Sequence, residues 1–303
     1  MNREVYFDRL FESLEELRLI PPVDSSWRLE LESDLRRSEI PAGLIEKLRE
    51  EYGIAFLNVI LINCRKNFLL CRQFSVSADR TLFNAALSFT LLGCVLDFML
   101  DSPDEAMQYA ARKKLSEGYC SHYFIDFGKA QENTAADRLF ETISQGLYEI
   151  WLADEEKYRR IVNMIRIAAE SEVNVLKDDC TDESIVCKSL EFTRISAEIL
   201  LAKYDLTDAG RVLIDSIGYS FALIDDLCDS FEDDLIGQAN LVNKSGIADE
   251  TAVVGQMCEK LRYHIAVIKE RATEELYDFI FCELSEWPLS CADIRSRIWE
   301  KYG

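Results

Sequence analysis

The scarcity of proline is the feature that most restricts the fold of this 303-residue chain. Its five prolines stand at positions 21, 22, 41, 103 and 288, so residues 104–287 contain none. Proline interrupts helices because its ring removes a backbone N–H donor and clashes with the preceding turn. Apolar residues recur at spacings of three and four, and sustained alternation with period two is absent. The sequence therefore predicts an all-α protein with about ten or more helices.

Helical spacing of apolar residues marks six segments. They are residues 10–19, 44–70, 140–151, 161–176, 199–204 and 254–268. No internal repeat, low-complexity tract or long polar linker divides the chain. Hydrophobic residues make up 49% of the sequence, which is enough for a large core. We therefore expect one domain over residues 1–303.

The charge balance restricts the partners of the chain. It has 55 acidic residues against 34 basic ones, which gives a formal net charge of −21. Nucleic acid or an anionic membrane would be repelled by most of such a surface, so we expect neither as a partner. An anionic substrate would need metal ions to offset the negative charge of its own site.

The apolar run 82–100 approaches the length of a membrane span, but it contains Asn84, Ser88 and Asp97. We expect a buried central helix there and no transmembrane segment. The N-terminus mixes charged and apolar residues at helical spacing and lacks the apolar core of a signal peptide. Ten cysteines without a CxxC pair suit free thiols in a reducing compartment. The expected location is the cytoplasm.

Two groups of aspartates carry the strongest functional signal. The first contains Asp97 and Asp101. The second contains Asp225, Asp229 and Asp233. In each group the aspartates recur every fourth residue within an apolar stretch, so on a helix they share roughly one face among side chains expected to be buried. Carboxylates on facing helices can hold Mg²⁺ together with substrate phosphates, so the pattern favours diphosphate chemistry.

Both groups are expected near helix ends. Ser102 and Pro103 would stop the helix of the first group, which places its carboxylates in the last turn. Gly237 follows Asp233 by four residues, where a helix would end with a left-handed cap. We therefore expect the carboxylates of both groups at the mouth of a site.

These motifs, in this order, resemble those of class I terpenoid synthases. Residues 97–101 have the DxxxD form found in the squalene and phytoene synthase branch and in the tetraprenyl-beta-curcumene synthase-like branch. The second group matches the spacing of the second metal motif of cyclases, and Gly237 and Asn240 are similar to the glycine and asparagine that follow it there. The resemblance covers roughly residues 82–245.

The sequence departs from the family pattern at several positions. Asp229 stands where many cyclases have serine or threonine, and Asp233 stands where they have glutamate. Cys228 and Gln238 occupy the places of two arginines of squalene and phytoene synthases. The last departure disfavours head-to-head condensation.

The resemblance implies a single-domain helical bundle around a central apolar cavity. It implies a terpene synthase or cyclase of isoprenoid biosynthesis, a carbon–oxygen lyase acting on phosphates. A cluster of Mg²⁺ ions, three when diphosphate is bound, would hold the leaving group of an allylic prenyl diphosphate, and a carbocation would result. Many members of the superfamily are dimers, so a homodimer is one expected oligomeric state. The implied metal ligands are Asp97, Asp101, Asp225, Asp229 and Asp233.

The resemblance extends to residues that would bind the diphosphate. Arg194 lies in a segment that resembles the RRxTxG segment of bacterial cyclases, where a planar cation suits phosphate oxygens. The alternative for Arg194 is an ion pair with Glu191 or Glu198 on its own helix. Lys301 and Tyr302 resemble an Arg-Tyr pair that some cyclases close over the diphosphate.

Asn240 and several aromatic residues complete the expected substrate site. The cavity of such an enzyme excludes water, and aromatic faces stabilise the cation through cation–π contacts. The same aromatic residues also suit a plain hydrophobic core. The candidate lining residues are Phe89, Phe98, Phe192, Tyr219 and Phe221.

Two other functions are left open. A prenyl transferase, either squalene and phytoene synthase-like or chain-elongating, would join two prenyl units. A non-catalytic helical homologue would keep the fold without turnover. Product formation from a single prenyl diphosphate separates the synthase from the transferase, and loss of Mg²⁺-dependent ligand binding favours the non-catalytic protein.

Overall fold

The computed structural model describes residues 2–20, 42–53, 56–100, 102, 104–113, 115, 134–174, 182–237 and 239–302. Within these ranges the chain forms twelve α-helices and no β-strand, which confirms the prediction of an all-α protein. The helices are α1 (Arg3–Glu16), α2 (Ala42–Tyr52), α3 (Phe56–Gln73), α4 (Arg80–Leu100), α5 (Glu105–Lys113), α6 (Ala135–Ala153), α7 (Glu155–Asn174), α8 (Asp182–Leu200), α9 (Asp208–Ile236), α10 (Glu250–Arg271), α11 (Glu274–Glu286) and α12 (Ala292–Tyr302).

Three segments with helical spacing are not single helices in the structure. Segment 10–19 runs past the end of α1 at Glu16, and Arg18 has a φ of +62°. Segment 44–70 contains two helices, because the chain turns after α2 at Gly53, whose φ of +87° favours glycine. Segment 199–204 is not one helix, because α8 ends at Leu200. The Lys157 ammonium donates to two backbone carbonyls just beyond that end, which compensates for the lost helical hydrogen bonds.

The packing of the chain forms two compact units. The first unit contains α1, the part of α9 from Arg211 onward, and α10–α12, together with residues 171–174 and 182–190. The second unit contains α2–α6, α7 as far as Glu170, and the chain from Glu191 to Gly210. One domain over residues 1–303 stays a prediction.

In the first unit, α1 packs along α10 and turns its apolar face into the core. Tyr6, Phe7 and Leu10 are fully buried there. The Tyr6 hydroxyl donates to the Leu227 carbonyl of α9 at 2.8 Å. The rings of Tyr6 and Phe7 lie 5.4 and 5.5 Å from the ring of Phe231, which is also on α9. The amphipathic first helix therefore supports the part of α9 that carries the second aspartate group.

In the second unit, α4 is buried over most of its length and packs along α6. Gly146 of α6 lies so near α4 that a Cβ at this position would be 2.2 Å from the Ala85 Cβ. Among the described residues, α4 is the one helix long and apolar enough to cross a membrane, but 72% of its apolar stretch is buried inside the protein. This burial is consistent with the prediction of a core helix.

Candidate functional site

The second aspartate group forms a row on α9, in the first unit. We call Asp225, Asp229 and Asp233 the acidic row; each of them is half-buried. Each four-residue step advances about 6 Å along the helix, so the row extends roughly 12 Å. α9 ends at Ile236, and Gly237 follows with a φ of +73°. The predicted left-handed cap behind the acidic row is confirmed.

The carboxyl in the middle of the acidic row has a strongly perturbed pKa. Burial, together with the negative charges of Asp225, Asp233 and Glu232, raises the pKa of Asp229 to about 7. At neutral pH this carboxyl is therefore partly protonated, whereas an ordinary aspartate is ionised. A divalent cation bound at the row would reverse the repulsion that keeps the proton in place. Such shifts are concentrated at functional sites.

The carboxylate at the start of the acidic row is held by an indole. Trp287 Nε1 donates to Asp225 Oδ1 at 3.1 Å. The ring of Trp287 also lies 5.5 Å from the ring of Phe221, one helical turn before Asp225. A neutral donor therefore engages one oxygen of this carboxylate.

The carboxylate at the other end of the acidic row is held by a buried amide. Asn240 is 1% exposed, and its Nδ2 donates to Asp233 Oδ2 at 3.0 Å. Its Oδ1 accepts from the backbone N–H groups of Val242 at 3.0 Å and Asn243 at 2.9 Å. Asn240, which the sequence predicts to bind substrate, thus joins the turn after α9 to the acidic row.

A cation from α1 lies beside the acidic row. Arg3 Nη2 is 3.1 Å from Glu232 Oε1 and 2.7 Å from Asp293 Oδ2. Arg3 therefore links α1 to both α9 and α12 within the first unit. Its charge offsets Glu232, one of the carboxylates that raise the pKa of Asp229.

The donors of the acidic row suit a hard divalent cation. Mg²⁺ takes carboxylate oxygens and completes its shell with water and substrate phosphates. In the part of the chain that the structure describes, no three His, Cys, Asp or Glu side chains are arranged to hold a metal ion. A cation at the acidic row would therefore need water or substrate phosphates to complete its shell.

The first aspartate group lies at the end of α4, in the second unit. Asp97 is exposed, and the neighbouring Phe98 is 50% exposed, with its ring 5.7 Å from that of Tyr52. The sequence predicts buried surroundings for Asp97, but this part of the last turn reaches the surface. α4 spans Arg80–Leu100, and Asp101, the last residue of the predicted helix, lies outside the described residues.

Arg194 forms an ion pair on its own helix, in the second unit. Arg194 Nη1 is 2.7 Å from Glu191 Oε1, three residues earlier. Glu198 forms an ion pair with Arg160 of α7, also at 2.7 Å. Both glutamates are buried, so each carboxylate needs a compensating cation. The predicted alternative for Arg194 is therefore present, and contact with a diphosphate stays a prediction.

Lys301 and Tyr302 both contact Glu15, in the first unit. Lys301 Nζ is 2.7 Å from Glu15 Oε1, and the Tyr302 hydroxyl donates to the same carboxylate. These hydrogen bonds lower the pKa of Glu15 and raise the pKa values of Lys301 and Tyr302. The two residues that the sequence predicts to close over a diphosphate thus join α12 to α1.

The candidate aromatic residues have different surroundings. Phe89 is 1% exposed, and its ring lies 5.3 Å from that of Phe192. Phe192 also fills the space beside Gly93, where a Cβ would be 2.3 Å from its ring. Phe89 is therefore a core residue of the second unit, and the half-buried Phe192 packs against it. In the first unit, Tyr219 stacks on His264 with the ring centroids 4.7 Å apart.

Sequence reasoning missed Trp287 as a member of the site. It lies 62 residues from Asp225, so no local spacing connects the two positions. The dipeptide Trp287-Pro288 offered one signal. A proline disfavours helix at the residue before it, so it predicts a turn that contains Trp287.

Comparison with protein-family models, with curated proteins and with solved structures finds no match to this chain. The resemblance to class I terpenoid synthases therefore rests on the motif residues and on their spacing.

Proposed function

We propose that the chain is a Mg²⁺-dependent class I terpene synthase that releases diphosphate from an allylic prenyl diphosphate. The all-α fold and the two motifs support this proposal. The observation that carries it is the acidic row, three half-buried carboxylates on one helix, with the pKa of Asp229 raised to about 7. Such a row is unfavourable for the protein alone and is stabilised by bound cations.

The reaction would begin with cleavage of the bond between the prenyl carbon and the diphosphate oxygen. The bonding electrons leave with the diphosphate, and the allylic carbons retain the positive charge. Bound Mg²⁺ ions would neutralise charge on the leaving diphosphate. The acidic row would supply carboxylate ligands for these ions, and Asp97 and Asp101 are proposed as further ligands from their motif alone. Loss of a proton from the cation would give a hydrocarbon, and addition of water followed by loss of a proton would give an alcohol.

Aromatic side chains near the acidic row would protect the cation. Phe221 lies one turn before Asp225, and Tyr219 lies two residues before Phe221. An aromatic face stabilises a cation by about 0.5–2 kcal/mol and helps to exclude water. Of the two, we propose Phe221 as the main residue that stabilises the carbocation, because it is half-buried and its ring contacts the indole of Trp287, which holds Asp225.

Diphosphate release tests the proposal. Purified protein would be incubated with Mg²⁺ and, separately, with C10 to C35 prenyl diphosphates, and released diphosphate and hydrocarbon products would be measured. A cyclic or rearranged product from one substrate, lost in Asp97→Ala and in Asp229→Ala, would support the synthase. Asp234→Ala is the matched control, because Asp234 is exposed on the same helix and should be dispensable. A longer chain or a joined dimer would instead identify a prenyl transferase.

A non-catalytic helical protein is the second candidate. Two ion pairs favour it, that of Arg194 with Glu191 and that of Lys301 with Glu15. The resemblance assigns both of these basic side chains to the diphosphate, but in the structure each one contacts a glutamate. Absence of Mg²⁺-dependent diphosphate release from every substrate, together with absence of ligand binding, would favour this candidate.

A further inference from the structure

Trp287 lies on a turn whose conformation is set by its own hydrogen bonds. It follows α11 and opens the 3₁₀ helix Trp287–Leu289. Its carbonyl accepts from the Ser290 backbone N–H at 3.0 Å and from the Ser290 hydroxyl at 2.7 Å. Pro288, which is buried, has a φ restricted by its ring. The turn therefore presents the indole at a defined position.

The indole spans two turns of α9. Its Nε1 donates to Asp225 Oδ1, and its ring contacts that of Phe221 one turn earlier. An aspartate side chain rotates about two bonds unless a partner holds it. The hydrogen bond engages one carboxylate oxygen, and a carboxylate has a second oxygen that accepts from, or coordinates, another group. The contact with Trp287 therefore restricts the direction of the carboxylate, alongside the hydrogen bond that Asp225 shares with Asp229.

We propose that Trp287 is a positioning residue that orients Asp225 for binding a divalent cation. Hydrogen bonds from surrounding groups orient metal ligands, and their loss typically lowers metal affinity by about 10- to 100-fold. The indole donor aims the carboxylate and adds no positive charge that would compete with the metal. This inference rests on the proposed function, because it requires that the acidic row bind a cation.

A neutral donor also holds the other end of the acidic row. Asn240 Nδ2 donates to Asp233 Oδ2 at 3.0 Å, as Trp287 Nε1 does to Asp225 Oδ1 at 3.1 Å. A lysine or arginine in either place would offset the negative charge of the row and weaken its attraction for a cation. One hydrogen-bond donor at each end of the acidic row is therefore neutral.

Cation titrations of the full chain test the role of Trp287. Calorimetry with Mn²⁺ and with Mg²⁺, with and without inorganic diphosphate, would compare the wild type with Trp287→Phe. This variant keeps an aromatic ring and removes the N–H donor. Trp299→Phe is the matched control, because Trp299 is an exposed tryptophan on α12 of the same unit. We expect the dissociation constant to rise about tenfold in Trp287→Phe and to change by less than about twofold in Trp299→Phe.

In the wild-type protein, the hydrogen bond from Trp287 to Asp225 can be monitored through the indole N–H signal in a nitrogen–proton NMR spectrum. The Trp287 signal is assigned by its loss in Trp287→Phe. Mg²⁺ should shift this signal in the wild type and saturate the shift at the dissociation constant that calorimetry gives. The melting temperature of each variant in EDTA separates the proposal from a purely structural role, which would lower that temperature and leave the cation affinity unchanged.

The outcomes separate this inference from the proposed function. Equal cation affinity in the wild type and in Trp287→Phe, with an unmoved Trp287 signal, would overturn the inference and leave the acidic row as a cation site. Tighter binding by Trp287→Phe would also overturn it, because the indole would then compete with the cation. No cation binding by the wild type under any condition would overturn both.

Discussion

At the scale of single residues, the proposed cation site would make protonation of Asp229 and cation binding compete. Burial and the neighbouring carboxylates act in the same direction on this residue and raise its pKa to about 7. A proton and a metal ion are two ways of removing the same repulsion, so they compete for the carboxylate. Because a metal ligand must lose its proton, cation affinity should increase as the pH rises through this range.

Without metal, we expect Asp229 to make the protein less stable as the pH rises from about 4 to about 7. Its pKa is about 7 in the folded protein, above the ordinary value, so the folded state binds the proton more tightly than the unfolded state. Stability from this group is therefore complete below the unfolded pKa and is lost as the pH passes through the folded one. Asp229→Asn should remove this dependence and melt at a higher temperature than the wild type near pH 8.

Thermal unfolding in EDTA between pH 5 and pH 8 measures this effect. Asp234→Asn, an exposed change on the same helix, should follow the wild type throughout. If the wild type gains stability relative to Asp229→Asn as the pH rises, the assignment of a raised pKa is wrong.

Asn240→Ala should destabilise the turn after the acidic row. The buried amide accepts from the backbone N–H groups of Val242 and Asn243, and the alanine would leave both donors without that acceptor. We expect the free energy of unfolding to fall by roughly 1–3 kcal/mol, measured by chemical denaturation. Asn163→Ala, at an exposed position on α7, should change it by less than about 0.5 kcal/mol. Equal effects of the two substitutions would contradict the role given to Asn240.

At the scale of helices, small residues allow α4 and α6 to approach closely. A Cβ at Gly146 would be 2.2 Å from the Ala85 Cβ, which is attached directly to the α4 backbone and cannot rotate away. A larger residue at 146 would therefore force the two helices apart. This contact explains how a helix as apolar as α4 is buried against its neighbour.

Gly146→Ala should lower the free energy of unfolding by about 1–3 kcal/mol, because it overfills the contact between α4 and α6. The matched control is Gly255→Ala on α10, where a new Cβ would meet nothing within 4 Å. There the higher helix propensity of alanine should raise the free energy of unfolding by up to about 1 kcal/mol. Chemical denaturation measures both changes, and a stabilising effect of Gly146→Ala would refute the close approach of the helices.

At the scale of the whole molecule, a formal net charge of −21 makes the folded chain repel itself. Salt screens this repulsion, with a screening length of about 10 Å at 0.1 M. A divalent cation at the acidic row would add a specific effect, because it binds the folded state.

We therefore expect the melting temperature to rise as NaCl increases from about 10 mM to about 300 mM. At equal ionic strength, a few millimolar Mg²⁺ should raise it further in the wild type but not in Asp229→Asn. Differential scanning calorimetry in NaCl measures the general screening effect on the melting temperature, and calorimetry in Mg²⁺ at equal ionic strength measures the specific effect of the divalent cation. The same response to Mg²⁺ in both proteins would show that the cation acts on the net charge alone.

The sequence by itself determined the features that depend on neighbouring residues. The scarcity of proline and the helical spacing of apolar residues predicted an all-α chain, and the structure confirms it. The four-residue spacing of the acidic row predicted one shared helix, and Gly237 predicted its left-handed end. These signals are local, because a helix repeats every 3.6 residues and its ends depend on a few positions.

The tertiary structure alone decided which partner each functional side chain has. Trp287 meets Asp225 across 62 residues, and Lys301 meets Glu15 across 286. The pattern around Asp97 predicted burial, yet the side chain is exposed on α4. Helical periodicity defines which residues share a face, but hydrophobic burial is non-directional and does not select the opposing helix. Long-range hydrogen bonds form where packing brings donors and acceptors within about 3 Å, so they depend on the folded chain as a whole.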